Sequence, residues 1–174
     1  MMNSKDILAV VRKYWDTAPV DVFAILRELG LGPAQRALPA NISGMIERRD
    51  GDGFLVVLNN TQSMTRQRFT AAHELGHYIY HRDLLGKGVG DTLAYRAEGT
   101  ELPNEHIRVT HERQANNFAA NLLMPTHLID RLRAEGIIQP YALANRLGVS
   151  EAAMRIRLGL EVNPQLFEAF PQQA

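Results

Sequence analysis

The chain has 174 residues, enough for one domain with a small appendage, and its 45% hydrophobic content is ordinary for a globular protein. Nineteen Lys and Arg balance nineteen Asp and Glu, which removes the electrostatic pull that usually announces nucleic acid or an anionic membrane. Cysteine is absent, so there are no disulfides and no thiolate metal site; a metal must be held by histidine and carboxylate, donors that favour an open catalytic site over a structural one.

The N-terminus shows no signal-peptide apolar region, because Asp6 interrupts the nearest run, and no run is long enough to span a bilayer. These features predict a soluble cytoplasmic protein. Residues 4–14 read as a short helix with Ile7, Leu8 and Val11 on one face. In the next helix Pro19 suits the first helical position, Asp21 the first turn and Gly30 the exit, around a stripe of Val22, Ile25, Leu26 and Leu29. Residues 34–40 are ambiguous and allow a short strand.

Residues 44–47 and 54–59 flank Arg48-Arg49-Asp50-Gly51-Asp52-Gly53, which predicts a β-hairpin with an Asp-Gly turn. Leu55, Val56, Val57 and Leu58 form a continuous apolar run, so both faces of that strand should be covered. A strand beside the helix that follows could hold an extended peptide along its free edge by main-chain hydrogen bonds.

That helix, over residues 66–81, contains His73-Glu74-Leu75-Gly76-His77. Residues four apart on a helix differ by about 40° in azimuth, so His73 and His77 point the same way and can grip one ion together. Glu74 sits beside that face, placed to reach water next to the metal rather than the metal itself. Phe69, Ala72, Leu75, Gly76, Ile79 and Tyr80 leave little polar surface, so the helix should be largely buried, and a buried helix rarely carries two histidines and a glutamate without partners.

Residues 83–103 have weak periodicity and several glycines, as expected of a flexible lid or of disorder. Gly86-Lys87-Gly88-Val89-Gly90 lacks the Gly-Lys-Ser/Thr ending of a phosphate loop. A strong helix begins at Thr110, with Ala115, Phe118, Ala119, Leu122 and Leu123 facing the core and Met124-Pro125 stopping it. Thr126 suits the cap of a further helix to about Glu135, ended by Gly136. Residues 140–147 and 151–160 read as two short helices, with Ser150 as the N-cap of the second.

A catalytic zinc takes three protein ligands and leaves a position for water. Asp83 lies six residues past His77, but that geometry needs a sharp turn where this chain has Tyr80. His81 continues the i+4 series too far along one straight helix to converge on the same ion, and is expected to pack or hydrogen-bond at the helix end. Glu112 opens the next strong helix and is favoured, with adjacent His111 as its nearest rival. Asn116, one turn on, could hydrogen-bond the far nitrogen of a ligand imidazole and fix its tautomer.

Arg66-x-Arg68-Phe69-Thr70-x-Ala72-His73-Glu74-Leu75-Gly76-His77, together with Glu112-x-x-Ala115-Asn116-x-Phe118-Ala119-Ala120-x-Leu122-Leu123-Met124-Pro125, resembles the ImmA/IrrE family of metallopeptidases. The resemblance covers roughly residues 19–160. It implies an α+β, zincin-like fold, with a small antiparallel sheet packed on the metal helix. The expected division is a metallopeptidase domain at 1–125 and a small C-terminal helical subdomain, helix-turn-helix-like, at 126–174. It implies one Zn2+ per chain held by His73, His77 and Glu112, with Glu74 as the catalytic carboxylate. It further implies site-specific cleavage of a protein substrate, a transcriptional repressor, in a stress or mobile-element circuit. Family members often carry a second Glu two places after the ligand; here that position is Gln114, which is not expected to disturb the site. His106, His111 and Tyr95 are oxyanion-stabiliser candidates by residue type alone.

A second function class stands beside this one. Residues 143–158 have helix-turn-helix spacing, which raises a DNA-binding regulator whose zinc site senses or stabilises, with Arg155 and Arg157 touching phosphates. Glu151, Glu161 and the neutral chain argue against direct nucleic-acid contact. Oligomeric state is not legible.

Overall fold

A computed structural model describes residues 4–49, 51, 53–85 and 109–162. The fold is α+β: seven α-helices and a three-stranded mixed sheet among the described residues. Helix α1 (Ser4–Tyr14) buries Ile7, Val10 and Val11, an i, i+3, i+4 stripe. Leu8, expected on that face, is instead 38% exposed.

Helix α2 (Val22–Glu28) starts later than its proline suggests. The Asp21 carboxylate accepts a hydrogen bond from the Ala24 amide at 2.9 Å, which makes Asp21 the N-cap and leaves Pro19 outside the helix. A side chain that satisfies an orphan amide outweighs the ring's preference for a first-turn position. Val22, Ile25 and Leu26 lie in the core, as their spacing predicts.

Strand β1 (Ala34–Arg36) settles the ambiguous segment: it pairs parallel with β3 (Phe54–Asn59). Strand β2 (Gly44–Arg48) pairs antiparallel on the other side, with Met45 opposite Val57 and Arg48 opposite Phe54, so the order is β1-β3-β2. The hairpin is therefore present, closed by the Arg49 amide on the Gly53 carbonyl at 2.9 Å; Asp50 and Asp52, in its expected turn, lie outside the described residues. Central β3 has Val56, Val57 and Leu58 fully buried, which explains its unbroken apolar run. Its last residue, Asn59, donates to the carbonyls of Leu38, Pro39 and Ile42 and accepts from the amides of Leu38 and Thr61, tying the β1–β2 connection to the sheet.

Helix α3 (Met64–Tyr80) is capped by Ser63, whose hydroxyl accepts from the Arg66 amide at 3.3 Å. It packs on the sheet and, most extensively, on α4 (Val109–Leu123). The two helices approach closely at Gly76: a Cβ there would lie 3.1 Å from Ala115 Cα and 3.2 Å from Phe118 Cδ1. This is the contact that sets how near α4 can bring its polar face to α3.

Three further helices follow: α5 (Thr126–Ala134), α6 (Pro140–Leu147) and α7 (Glu151–Arg157). Pro125, extended at φ −68° and ψ 140°, takes the N-cap position of α5 that Thr126 was expected to fill; the Thr126 hydroxyl accepts from Arg157 Nη2 at 3.2 Å instead. Ser150 does cap α7, accepting from the Ala153 amide at 3.1 Å. Helix α7 stops at Arg157 rather than Leu160, because Gly159 turns the chain at φ +68°. One hydrophobic cluster joins the seven helices to strands β2 and β3, from Ile7 through Val56 and Leu75 to Leu143 and Met154.

Candidate metal centre

Helix α3 behaves as its composition predicts: eleven consecutive-to-near positions from Gln67 to Tyr78 are buried, among them His73, Glu74 and His77 at 0, 0 and 1% exposure. Burying three such groups is costly unless something holds them in place. The i, i+4 spacing brings the two imidazoles edge to face, with Nε2 of His73 and Nε2 of His77 2.8 Å apart. Helix α4 delivers Glu112 to the same point. Its Oε2 lies 3.5 Å from His73 Nε2 and its Oε1 3.3 Å from His77 Nε2.

These three residues form a donor group whose atoms all lie within 4.8 Å of one another, a group that could hold a metal ion. Tetrahedral ligands at about 2.0–2.1 Å from one ion stand about 3.3 Å apart. The two His–Glu separations match that spacing, and the imidazole pair would have to open by about half an ångström. The donor set is two nitrogens and a carboxylate, the chemistry of an open divalent site.

Electrostatics set the same stage. Burial lowers the His73 imidazole to about 4, so it is neutral at pH 7 and has a lone pair to give. Burial alone would raise the Glu112 carboxyl, but the contacts with His73 and His77 outweigh it and bring it down to about 2, so it is ionised. Glu74 is different. Burial, then the Glu112 charge, push its carboxyl well above the usual range, and neither oxygen has a hydrogen-bond partner among the described residues. A buried carboxyl without a protein partner next to a cluster of metal donors is suited to act on water beside a bound cation.

The surrounding shell orients the imidazoles. Asn116 Oδ1 lies 3.1 Å from His73 Nδ1, as its position one turn after Glu112 predicts. His81 does hydrogen-bond at the helix end: its Nδ1 is 3.1 Å from His77 Nδ1, and its Nε2 is 2.9 Å from Gln114 Oε1. Sequence reasoning missed Gln114 as a participant. The available signal was its position two residues after Glu112, on the helix that crosses α3.

The other candidates lie elsewhere. Asp83 sits in a 3-10 turn (Arg82–Leu84), and the His111 ring packs 4.7 Å from that of His81; neither belongs to the three-donor group. His106 and Tyr95 lie outside the described residues, as does most of the expected lid, residues 86–108.

Arg68, one turn before His73, points away from the donors. Its guanidinium donates to the carbonyls of Val20 at 2.8 Å, Gly148 at 3.0 Å and Leu147 at 3.4 Å. It thus caps the C-terminus of α6 and ties that helix to α3. Arg155 donates to the Glu161 carbonyl and to Glu151, and Arg157 to the Met124 carbonyl and Thr126, so both cations offered to phosphates by the helix-turn-helix reading are engaged within the fold. No helix among the described residues is long and apolar enough to cross a membrane.

The chain is similar to the multifunctional CCA proteins of Burkholderia mallei and Burkholderia pseudomallei, 29% identical over 178 aligned positions that cover 89% of this chain and 43% of theirs. It therefore spans about two fifths of the length of those curated relatives. A solved Mycobacterium tuberculosis transcriptional regulator has the same fold over 92% of this chain and 48% of its own, with a TM-score of 0.59 and 18% identity. The model of the IrrE N-terminal-like domain, a peptidase family, matches residues 38–159, a span that holds strands β2 and β3, both helices of the donor group and the capped pair α6–α7. With that span matched from β2 to α7, the chain belongs to the IrrE N-terminal-like peptidase family.

Proposed function

We propose that this protein is a zinc-dependent endopeptidase that cleaves one specific protein, a transcriptional repressor, in a stress, mobile-element or toxin–antitoxin circuit of the cytoplasm. One observation carries the reading: three donors from two helices converge while the carboxyl of Glu74, adjacent to His73 and fully buried, has no partner among the described residues. His73, His77 and Glu112 are the proposed ligands. A zinc ion bound there supplies Lewis-acid polarisation of a peptide carbonyl and acidifies water.

The chain's own residues do the rest. Glu74 accepts the proton of the attacking water and passes it to the leaving amine nitrogen. Its raised affinity for a proton is brought back toward the working range by a cation held at its neighbours. Asn116 holds His73 with its Nδ1 proton outward, which leaves Nε2 free to ligate. The regulatory setting rests on the family resemblance and agrees with the name of the Mycobacterium neighbour. Direct DNA contact is not favoured, because Arg155 and Arg157 are occupied within the fold.

The test is co-expression with a repressor from the same operon. The full-length repressor band should disappear with the wild-type chain and persist with Glu74→Gln, while both proteins carry zinc after purification. A Glu74→Gln protein that cuts at the normal rate, or a wild-type chain that retains no divalent metal after dialysis against zinc, would overturn the assignment.

A further inference from the structure

His77 does not end the polar chain at the site. Its Nδ1 lies 3.1 Å from Nδ1 of His81, a residue only 4% exposed, and the opposite nitrogen of that ring lies 2.9 Å from Gln114 Oε1. We propose that His81 and Gln114 are positioning residues that set the tautomer of His77, so that its Nε2 presents a lone pair to the ion. The inference rests on the metallopeptidase reading and adds to it two residues that touch neither ion nor substrate.

The direction of the chain follows from what each atom can do. An amide oxygen only accepts, so a hydrogen bond to Gln114 Oε1 places the His81 proton on Nε2. A neutral imidazole with its proton on Nε2 has a bare Nδ1, which must accept. His77 is then the donor through Nδ1–H, and its Nε2 is left bare, facing His73 Nε2 and Glu112 Oε1. Reversing the Gln114 amide reverses every step. His81 would carry its proton on Nδ1, His77 would accept there, and the proton of His77 would sit on Nε2, where it blocks ligation. His77 can ligate through Nε2 only in the state in which Gln114 accepts.

The arrangement also gives His73 and His77 separate supports. His73 is held by Asn116 directly, whereas His77 is held through an intervening ring. A glutamate at position 114 would also accept from His81 Nε2, so the relay needs an acceptor there rather than glutamine as such.

The test reads protons and metal together. Long-range proton–nitrogen NMR of the zinc-loaded wild-type chain should show His77 protonated on Nδ1 and His81 on Nε2. Gln114→Met removes the acceptor at an exposed position of similar size, so the fold should survive. In that variant the His81 signal should become a mixture of tautomers, and competition with a chelator should show zinc held about 10- to 100-fold more weakly. Gln114→Glu should restore both. His81 protonated on Nδ1 in the wild type, or Gln114→Met holding zinc as tightly as wild type, would overturn the relay while leaving the metallopeptidase reading in place. A wild-type chain that takes up no zinc would remove that reading and the relay with it.

Discussion

Where α3 crosses α4, Glu74 is fully buried and keeps both carboxyl oxygens without a partner among the described residues, and three donors crowd within 4.8 Å. Around α6 and α7 the chain treats polarity the opposite way. Ser150 caps one helix, the Arg68 guanidinium caps the other, and Arg155 and Arg157 are spent on carbonyls and neighbouring side chains. Leaving a buried polar group unmatched costs on the order of 1–3 kcal/mol, so a fold tolerates it where something beyond folding is gained. The contrast separates the part of the molecule built to bind from the part built to hold. Within the second part, the helix-turn-helix-like segment of residues 143–158 turns Arg155 and Arg157 onto its own fold.

The largest effect should come from the binding end. Glu112→Ala deletes the only donor that α4 contributes to the group, leaving two imidazoles on one helix. Metal content should fall to background. Affinity should drop by more than the roughly 100-fold that losing an outer partner costs. Metal analysis and chelator competition measure this. Unchanged zinc per chain would mean the ligand set is wrong, and would erase the contrast between the two ends.

The holding end should answer in stability instead. Arg68→Met keeps the apolar stem but removes the donors to the carbonyls of Val20, Leu147 and Gly148. A loss of about 2 kcal/mol in chemical denaturation is expected, with metal affinity per folded molecule little changed. If Arg68→Met instead loses metal while keeping its stability, the two ends are not separable as described.

How much of this was legible beforehand follows the same division. The meeting of His73 with His77 and the Ser150 cap were readable because both depend on spacing within one helix, which sequence states directly. Glu112 and Asn116 were readable because their own helix fixes them relative to each other, and the shared face could be inferred. Arg68 as a cap for α6, the parallel pairing of β1 with β3 and the Gln114–His81 contact were not, because each joins residues 23 to 80 positions apart with no local pattern. The misplaced helix starts at Pro19 and Thr126 are a smaller lesson. In both places a residue type suited to a helix start lay beside another that took the position, Asp21 and Pro125.

A third prediction concerns pH. The Glu74 carboxyl is raised in the folded chain above its ordinary value of 4.5. Between those two values the folded state binds the extra proton, so its contribution to stability is complete below about pH 4.5 and is lost as pH rises. Glu74→Gln removes the ionisation. In metal-free protein the melting temperature of Glu74→Gln relative to wild type should therefore increase from pH 4.5 upward. A constant difference across that range would mean the carboxyl is solvated or partnered in solution. Zinc should flatten the wild-type slope, because a nearby cation favours the ionised form.

The smallest effect tests the holding end alone. Ser150→Ala removes the hydroxyl that accepts from the Ala153 amide at 3.1 Å and should cost about 1 kcal/mol, the ordinary value of an N-cap. Because Gly148 sits two residues before that cap and its carbonyl accepts from Arg68, loosening α7 could reach α3 by one short path. Pairing Ser150→Ala with Arg68→Met in a double-mutant cycle decides whether it does. Additive losses, within about 0.5 kcal/mol, mean that the cap and the guanidinium act independently and α7 is simply packed on the core. A coupling larger than that would make the turn at residues 148–150 a joint through which a partner docked on α7 shifts the helix that carries both histidines.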